Sequence, residues 1–148
     1  MCVGGLPAGM GTDLVADARR LYAAMETAFR TGDYEALGES IDAAYIDHGL
    51  GGGLADLKAA FAEFGAAFRD VRIEVLDAVA DRRQVACRVR IEAKHTGPFW
   101  GLAGTGRRVQ QEGLDLLRFA GGRLVERWGH FDDVGMARQL GLPALPVP

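Results

Sequence analysis

The spacing of the apolar residues changes once along this chain, and that change constrains the fold more than any other feature. Up to about residue 69, apolar side chains recur every three to four residues, as they do along one face of an amphipathic helix. Beyond that point they alternate with polar side chains, as in a strand with one buried face. Helices followed by consecutive strands predict an α+β domain, with the helices packed on one face of an antiparallel sheet.

The helical spacing predicts three helices in the first half of the chain. Thr12 is the expected N-cap of the first helix, with Asp13 in the first turn and Gly32 at the end. A short apolar stripe predicts a second helix over residues 33–45. A longer one, rich in leucine and phenylalanine, predicts a third helix over residues 54–69.

The alternating region predicts four strands and a short final helix. The expected elements are strands at residues 71–80, 84–95, 108–119 and 123–131 and a helix at residues 133–140. Asp81–Arg83 and Ala120–Gly122 are the expected turns of the first and last pairs of strands. The longer loop 96–106 joins the middle pair, which makes the whole region a meander.

Length and composition predict one domain and narrow its environment. The 148 residues suit a single domain over residues 12–148, behind a flexible, Gly-rich leader at residues 1–11. Two cysteines argue against a disulfide framework and favour the cytoplasm, and no apolar run is long enough to span a membrane. A net charge of −3 argues against a nucleic-acid partner.

Four polar residues interrupt the predicted inner face of the sheet: His95, Gln111, Asp115 and Arg127. Asp115 faces Arg127 if the last hairpin has a three-residue loop, whereas a two-residue loop breaks that pairing by reversing the face. The two charges then form either a structural ion pair or the polar end of a ligand pocket with shifted pKa values.

The opposite face of the predicted sheet carries apolar residues as well. The residues expected there are Leu76, Leu114, Leu116, Leu124 and Trp128. Because an exposed apolar patch on a sheet often marks an interface, we predict a homodimer through this outer face.

Several ordered motifs extend over the second half of the chain. They are HTGPFWGLAGTGRRV at 95–109, GLDLLRFAGGRLVERW at 113–128 and DDVGMARQLG at 132–141, with weaker matches at RTGDY, YIDHG and FRDVRIEV. With these motifs the chain resembles the SnoaL-like polyketide cyclases of the nuclear transport factor 2-like superfamily. The resemblance implies a cone-shaped fold around a deep apolar pocket. It also implies ring closure of a small hydrophobic or aromatic polyketide-like substrate, without cofactor or metal.

The resemblance also assigns catalytic positions, and the chain departs from the family at both. The family's acid/base aspartate on the last strand falls on Gly129, and its histidine on the preceding strand falls on Asp115. We therefore expect Asp115 to act as the general base. His95, Arg127 and His130 are expected to orient the substrate or stabilise an oxyanion.

The remaining pocket contacts are also expected by resemblance or position. They are Phe29, Asp47, His48, Phe64, Phe99, Trp100, Gln111, Phe131 and Asp132. Most have a simpler reading: Phe29 and Phe64 as core residues, Asp47 and His48 as a polar loop pair, Phe99 and Trp100 as a packed loop, and Asp132 as the start of the last helix. For His95 that reading is a hydrogen bond that holds a loop.

Three functions remain open on these residues. The first is a cyclase or isomerase of secondary metabolism, such as antibiotic biosynthesis, in the lyase or isomerase class. The second is an epoxide hydrolase-like or hydroxylation-assisting enzyme, which uses an Asp–Arg–Asp set and which an inward Asp47 or Asp132 near Arg127 would favour. The third is a binding protein without catalysis, which the glycine at position 129 supports. The scattered His and Cys residues predict no metal site.

Overall fold

The computed structural model describes residues 13–146, which form three helices against one five-stranded sheet. In chain order the elements are α1 (Leu14–Thr31), a 3₁₀ turn (Glu35–Glu39), β1 (Ile41–Asp47), α2 (Leu54–Ala67), β2 (Phe68–Ala80), β3 (Val85–His95), β4 (Arg108–Ala120), β5 (Arg123–Phe131) and α3 (Asp133–Leu140). The strand order is β1-β5-β4-β3-β2. The α+β class, with helices packed on one sheet, is confirmed. The predicted leader and Thr12 lie outside the described residues.

The helix predicted at residues 33–45 is wrong. Only a 3₁₀ turn forms, and the chain then enters β1, which pairs in parallel with β5 and makes the sheet mixed. Leu37, Ile41 and Tyr45 have helical spacing and are all buried, but they belong to a turn and a strand. This segment is a strand because it pairs with β5, which lies some 80 residues further along the chain. The local spacing of apolar residues does not indicate such a distant pairing.

The ends of the first two helices differ slightly from the prediction. Asp13 is the N-cap of α1, where its carboxylate accepts a hydrogen bond of 3.0 Å from the N–H of Ala16. Gly32 ends α1 in the left-handed conformation, as predicted. Helix α2 ends at Ala67 rather than near Arg69, because the chain passes directly into β2.

The last hairpin has a two-residue turn with a bulge beside it. Gly121 and Gly122 both have positive φ, which suits a tight two-residue turn. The register then shifts by one residue between the hairpin end and the middle of β5, so that Asp115 lies opposite Gly129 and not Arg127. The predicted three-residue loop is wrong, but the bulge restores the inward orientation of Arg127.

The two faces of the sheet otherwise follow the predicted alternation. Val85, Cys87, Val89 and Leu117 are buried in the core cluster with α1. On the outer face Leu114 is 62% exposed, whereas Leu124, predicted there, is fully buried because the two-residue turn pairs it with Phe119. Within residues 13–146, no helix is long and apolar enough to cross a membrane.

Candidate active site

A cavity of about 320 Å³ lies between α1, α2 and the inner face of the sheet. This volume is within the range of small-molecule sites. The wall is mainly apolar, with a few polar groups. The lining residues are Tyr22, Met25, Phe29, Leu50, Leu57, Ala60, Phe61, Phe64, Ile73, Val89, Ile91, Phe99, Trp100, Gln111, Asp115, Arg127, Gly129, Phe131, Asp133 and Met136.

Asp115 and Arg127 form an ion pair on the cavity wall. Both Nε and Nη2 of Arg127 lie 2.8 Å from Oδ1 of Asp115. The hydroxyl of Tyr22, from α1, donates to Oδ2 of the same carboxylate at 2.6 Å. Asp115 is only 3% exposed, so burial and its contacts with Tyr22 and Arg127 fix its position.

A second carboxylate binds the other side of the guanidinium. Nη1 of Arg127 donates to Oδ2 of Asp47 at 2.9 Å, and the hydroxyl of Tyr45 donates to the same oxygen at 2.6 Å. Oδ1 of Asp47 accepts the N–H groups of Gly49 and Leu50. Tyr22, Asp115, Arg127, Asp47 and Tyr45 therefore form one buried network, in which a single cation lies between two carboxylates. Asp47 lies behind Arg127 and does not line the cavity.

The two carboxylates of the network differ in pKa. Burial raises the pKa of Asp115, and the charge of Arg127 and the hydroxyl of Tyr22 offset only part of that rise. Burial would also raise the pKa of Asp47, but the bonds from Tyr45, Leu50 and Arg127 outweigh it, so this pKa is lowered. Of the two, Asp115 is the carboxylate whose pKa is raised, as suits a general base, and it is also the one that reaches the cavity.

Gly129 provides the space that the ion pair occupies. It lies opposite Asp115 in the sheet, and a Cβ atom at this position would overlap both Nη2 of Arg127 and Oδ1 of Asp115. The aspartate that the family carries at this position would bring such a Cβ atom. The Asp115–Arg127 contact in this geometry therefore requires a glycine at position 129.

The predicted aromatic residues all line the cavity: Phe29, Phe64, Phe99, Trp100 and Phe131. Phe99 and Trp100 stack at 4.7 Å on a tight turn closed by two hydrogen bonds between Phe99 and Leu102. Trp100 has a φ of 50°, a conformation that costs a non-glycine residue about 1–2 kcal/mol. The predicted loop therefore presents its aromatic side chains to the cavity at some cost in strain.

His95 is fully buried but lies outside the cavity wall. Its Nδ1 accepts the N–H of Thr105 at 3.2 Å and lies 3.0 Å from the hydroxyl of the same residue. Backbone bonds to Gly106 and Arg107 continue the attachment. These contacts agree with the simpler of the two roles predicted for His95, a hydrogen bond that holds the loop.

Of the other predicted polar residues, Gln111 lines the cavity, whereas His48, His130 and Asp132 do not. His48 stacks on Trp128 at 4.4 Å and bonds Glu126 at 2.8 Å on the outer face. His130 lies within β5, not beyond it, and is exposed. Asp132 is the N-cap of α3. Along residues 13–146, no group of three His, Cys, Asp or Glu side chains is arranged to hold a metal ion.

Sequence reasoning missed Tyr22 and Asp133, both of which line the cavity. Tyr22 lies on the buried stripe of α1, between Ala18 and Met25, and a buried tyrosine hydroxyl needs a partner. That requirement could have identified Tyr22 from the sequence. Asp133 could not have been identified, because only the tertiary fold brings its carboxylate to within 2.8 Å of the Gln111 amide.

Comparison with known protein families shows which family the chain belongs to. The model of the SnoaL-like polyketide cyclases matches residues 19–140. The chain belongs to this family. None of the curated proteins compared with the chain matches it.

Solved structures of SnoaL-like and related proteins share the fold. IdmH, a proposed polyketide cyclase from Streptomyces antibioticus, is 28% identical with a TM-score of 0.72, over 84% of this chain and 98% of IdmH. AclR, a proposed hydroxylase from Streptomyces galilaeus, is 25% identical with a TM-score of 0.74, over 87% of this chain and 98% of AclR. A protein with a ketosteroid isomerase-like fold from Catenulispora acidiphila is 20% identical with a TM-score of 0.64, over 83% of this chain and 93% of that protein. This last likeness concerns the fold alone.

Proposed function

We propose that this SnoaL-like protein is a cofactor-independent acid–base enzyme that acts on a polyketide-like ketone. The observation that carries the proposal is Asp115, a buried carboxylate of raised pKa on an apolar cavity wall, in contact with a fixed cation. A general base works best when its pKa approaches the working pH, and a developing oxyanion needs a donor already in place. Asp115 and Arg127 supply these two groups together.

The proposed reaction begins with proton transfer. The Asp115 carboxylate takes a proton from the carbon beside a substrate carbonyl, and the electron pair moves onto the carbonyl oxygen. Arg127 has five N–H donors, and its hydrogen bonds to the two carboxylates use only part of them, which leaves donors for this enolate oxygen. In a ring closure the enolate carbon then bonds a second carbonyl carbon, whose oxygen takes the proton back from Asp115. In an isomerisation the proton returns to a different carbon.

Water activation is the second candidate, and Asp47 favours it. The Asp–Arg–Asp set that the sequence left incomplete is formed by Asp47, Arg127 and Asp115. Such a set suits the attack of water on an epoxide, and the likeness to AclR agrees with chemistry that adds oxygen. This candidate ranks second because Asp47 does not line the cavity, so Asp115 would have to act there alone. Hydrolysis of an apolar ring epoxide by the protein, lost in Asp115→Asn, would favour this function over the first.

Proton transfer can be tested with a simple carbon acid. We expect the protein to accelerate exchange of the acidic hydrogens of 2-tetralone in D₂O, followed by NMR. Asp115→Asn should lower that rate by about 100-fold or more, the usual contribution of a general base. Asp77→Asn, a matched change on the exposed outer face, should leave it unchanged.

Two results of this test would contradict the proposed role. If Asp115→Asn retains the wild-type exchange rate, Asp115 is not the base. If the wild type binds 2-tetralone but does not accelerate exchange or open an epoxide, the third function, a binding protein without catalysis, is correct.

We further propose a homodimer through the outer sheet face. Leu114 is 62% exposed there, with the half-buried Leu116 and Trp128 beside it. Burial of this exposed leucine and its apolar neighbours against a second copy of the chain would favour formation of a dimer. Light scattering should give the molar mass of a dimer for the wild type and of a monomer for Leu114→Asp. A wild-type monomer at millimolar concentration would exclude this interface.

A further inference from the structure

The cavity has a second polar group, remote from Asp115. Gln111 is only 8% exposed, and its side-chain nitrogen donates to Oδ1 of Asp133 at 2.8 Å. Because a carboxylate only accepts, the amide nitrogen must face Asp133 and the amide oxygen must point the other way. This Oε1 atom accepts no hydrogen bond within residues 13–146. The atom is not fully enclosed by protein, and Gln111 lines the cavity. A ligand in the cavity can therefore reach it.

The two polar groups lie along one wall of the cavity. Gln111 and Asp115 lie on the same face of β4, four residues apart in a stretch that pairs with β3 without a bulge. Four residues of strand separate their Cα atoms by roughly 13.5 Å. A ligand that contacts both side chains must therefore be extended, as a system of fused rings is.

An aromatic ring lies on the wall between the two polar groups. Gly113 lies midway on β4, and the ring of Phe131 occupies the space where a side chain at Gly113 would project. The guanidinium of Arg127 lies 5.9 Å from the centre of that ring. A planar ring system held between the two polar ends could therefore stack on Phe131.

We propose that Gln111, oriented by Asp133, is a specificity-determining residue whose Oε1 accepts a hydroxyl at the end of the substrate opposite the reacting carbonyl. The substrate class is then a fused-ring ketone with a phenolic hydroxyl at its far end. The ketone end of this assignment rests on the proposed function, but the hydroxyl end does not. Asp133 is a positioning residue, because it holds the amide with its oxygen turned to the cavity.

A matched pair of ligands and a matched pair of variants test this subsite. The ligands are 2-tetralone and 6-hydroxy-2-tetralone, which differ by one hydroxyl at the end remote from the ketone. The wild type should bind the hydroxylated compound about tenfold more tightly, as one good hydrogen bond allows. Gln111→Leu should reduce that ratio to about one. Gln110→Leu, the same change on the exposed neighbour of the same strand, should keep it.

The side-chain amide of Gln111 gives a second measurement that does not depend on stability. Its NMR signals should shift more with 6-hydroxy-2-tetralone than with 2-tetralone, because only the first donates a hydrogen bond to Oε1. A wild-type binding ratio of one, or a ratio retained in Gln111→Leu, would overturn the subsite. Exchange of 2-tetralone involves no far-end hydroxyl, so the two proposals fail separately. If Asp115→Asn does not lower the exchange rate, the proposed function is overturned, whereas the subsite is still decided by the binding ratio.

Discussion

Replacement of Arg127 by methionine should destabilise the protein by about 3–5 kcal/mol at neutral pH, the usual cost of removing one partner from a buried ion pair. The guanidinium is the shared cation of Asp47 and Asp115, whose side chains are 0% and 2% exposed. Methionine is similar in length but leaves both carboxylates without a counter-charge. Chemical denaturation measures the loss directly.

The pH dependence of that loss separates charge from packing. In the wild type, the lowered pKa of Asp47 contributes stability above the ordinary carboxyl pKa, and this contribution is lost as the pH falls. Without Arg127 the pKa values of both carboxylates rise, so the variant becomes less stable as the pH rises through them. The difference between the proteins should therefore be largest at high pH and shrink in acid.

Two further variants serve as controls for the Arg127 prediction. Arg118→Met removes a half-exposed arginine from the outer face and should cost about 1 kcal/mol or less. Adding Asp47→Asn to Arg127→Met should recover part of the stability, because it removes one of the two unpaired charges. A loss for Arg127→Met that is independent of pH would show that packing, not charge, is what Arg127 contributes.

Replacement of Gly129 by alanine should abolish most exchange activity and destabilise the fold by about 1–3 kcal/mol, the usual cost of overpacking. The added Cβ overlaps both partners of the Asp115–Arg127 pair, which must then separate. Gly38→Ala is the matched control, since a Cβ at that position has nothing within 4 Å. Wild-type exchange in Gly129→Ala would mean that catalysis does not need the pair in this geometry.

The sequence predicted the fold where local pattern decides it. The apolar stripe of α1 and the alternation of β3 and β4 appear at the expected positions because each depends on one periodic face. Strand β1 was missed because its pairing partner is distant in the chain. Leu124 was placed on the wrong face because the last turn has two residues and not three, and the bulge that follows Leu124, which no residue type signals, then restores the predicted face.

The site was predictable to a similar extent. Asp115 and Arg127 could be placed inward because they interrupt apolar positions of a strand. Asp47 was recognised as a pocket candidate, but its contact with Arg127 depends on β1 lying beside β5. His48 was chosen because the pocket mouth of the family falls there, and His130 because it lies at the end of the last strand. His48 instead stacks on Trp128, and His130 is exposed.

The pH dependence of 2-tetralone exchange, measured for the wild type and Asp115→Asn, tests the central claim most directly. Because burial raises the pKa of Asp115, the wild-type rate should climb with pH and level off only above the ordinary carboxyl range. The variant should lack this rise and stay near the rate without protein. A rise of the same size and position in both proteins would contradict the account, because the titrating base would then be a group other than Asp115.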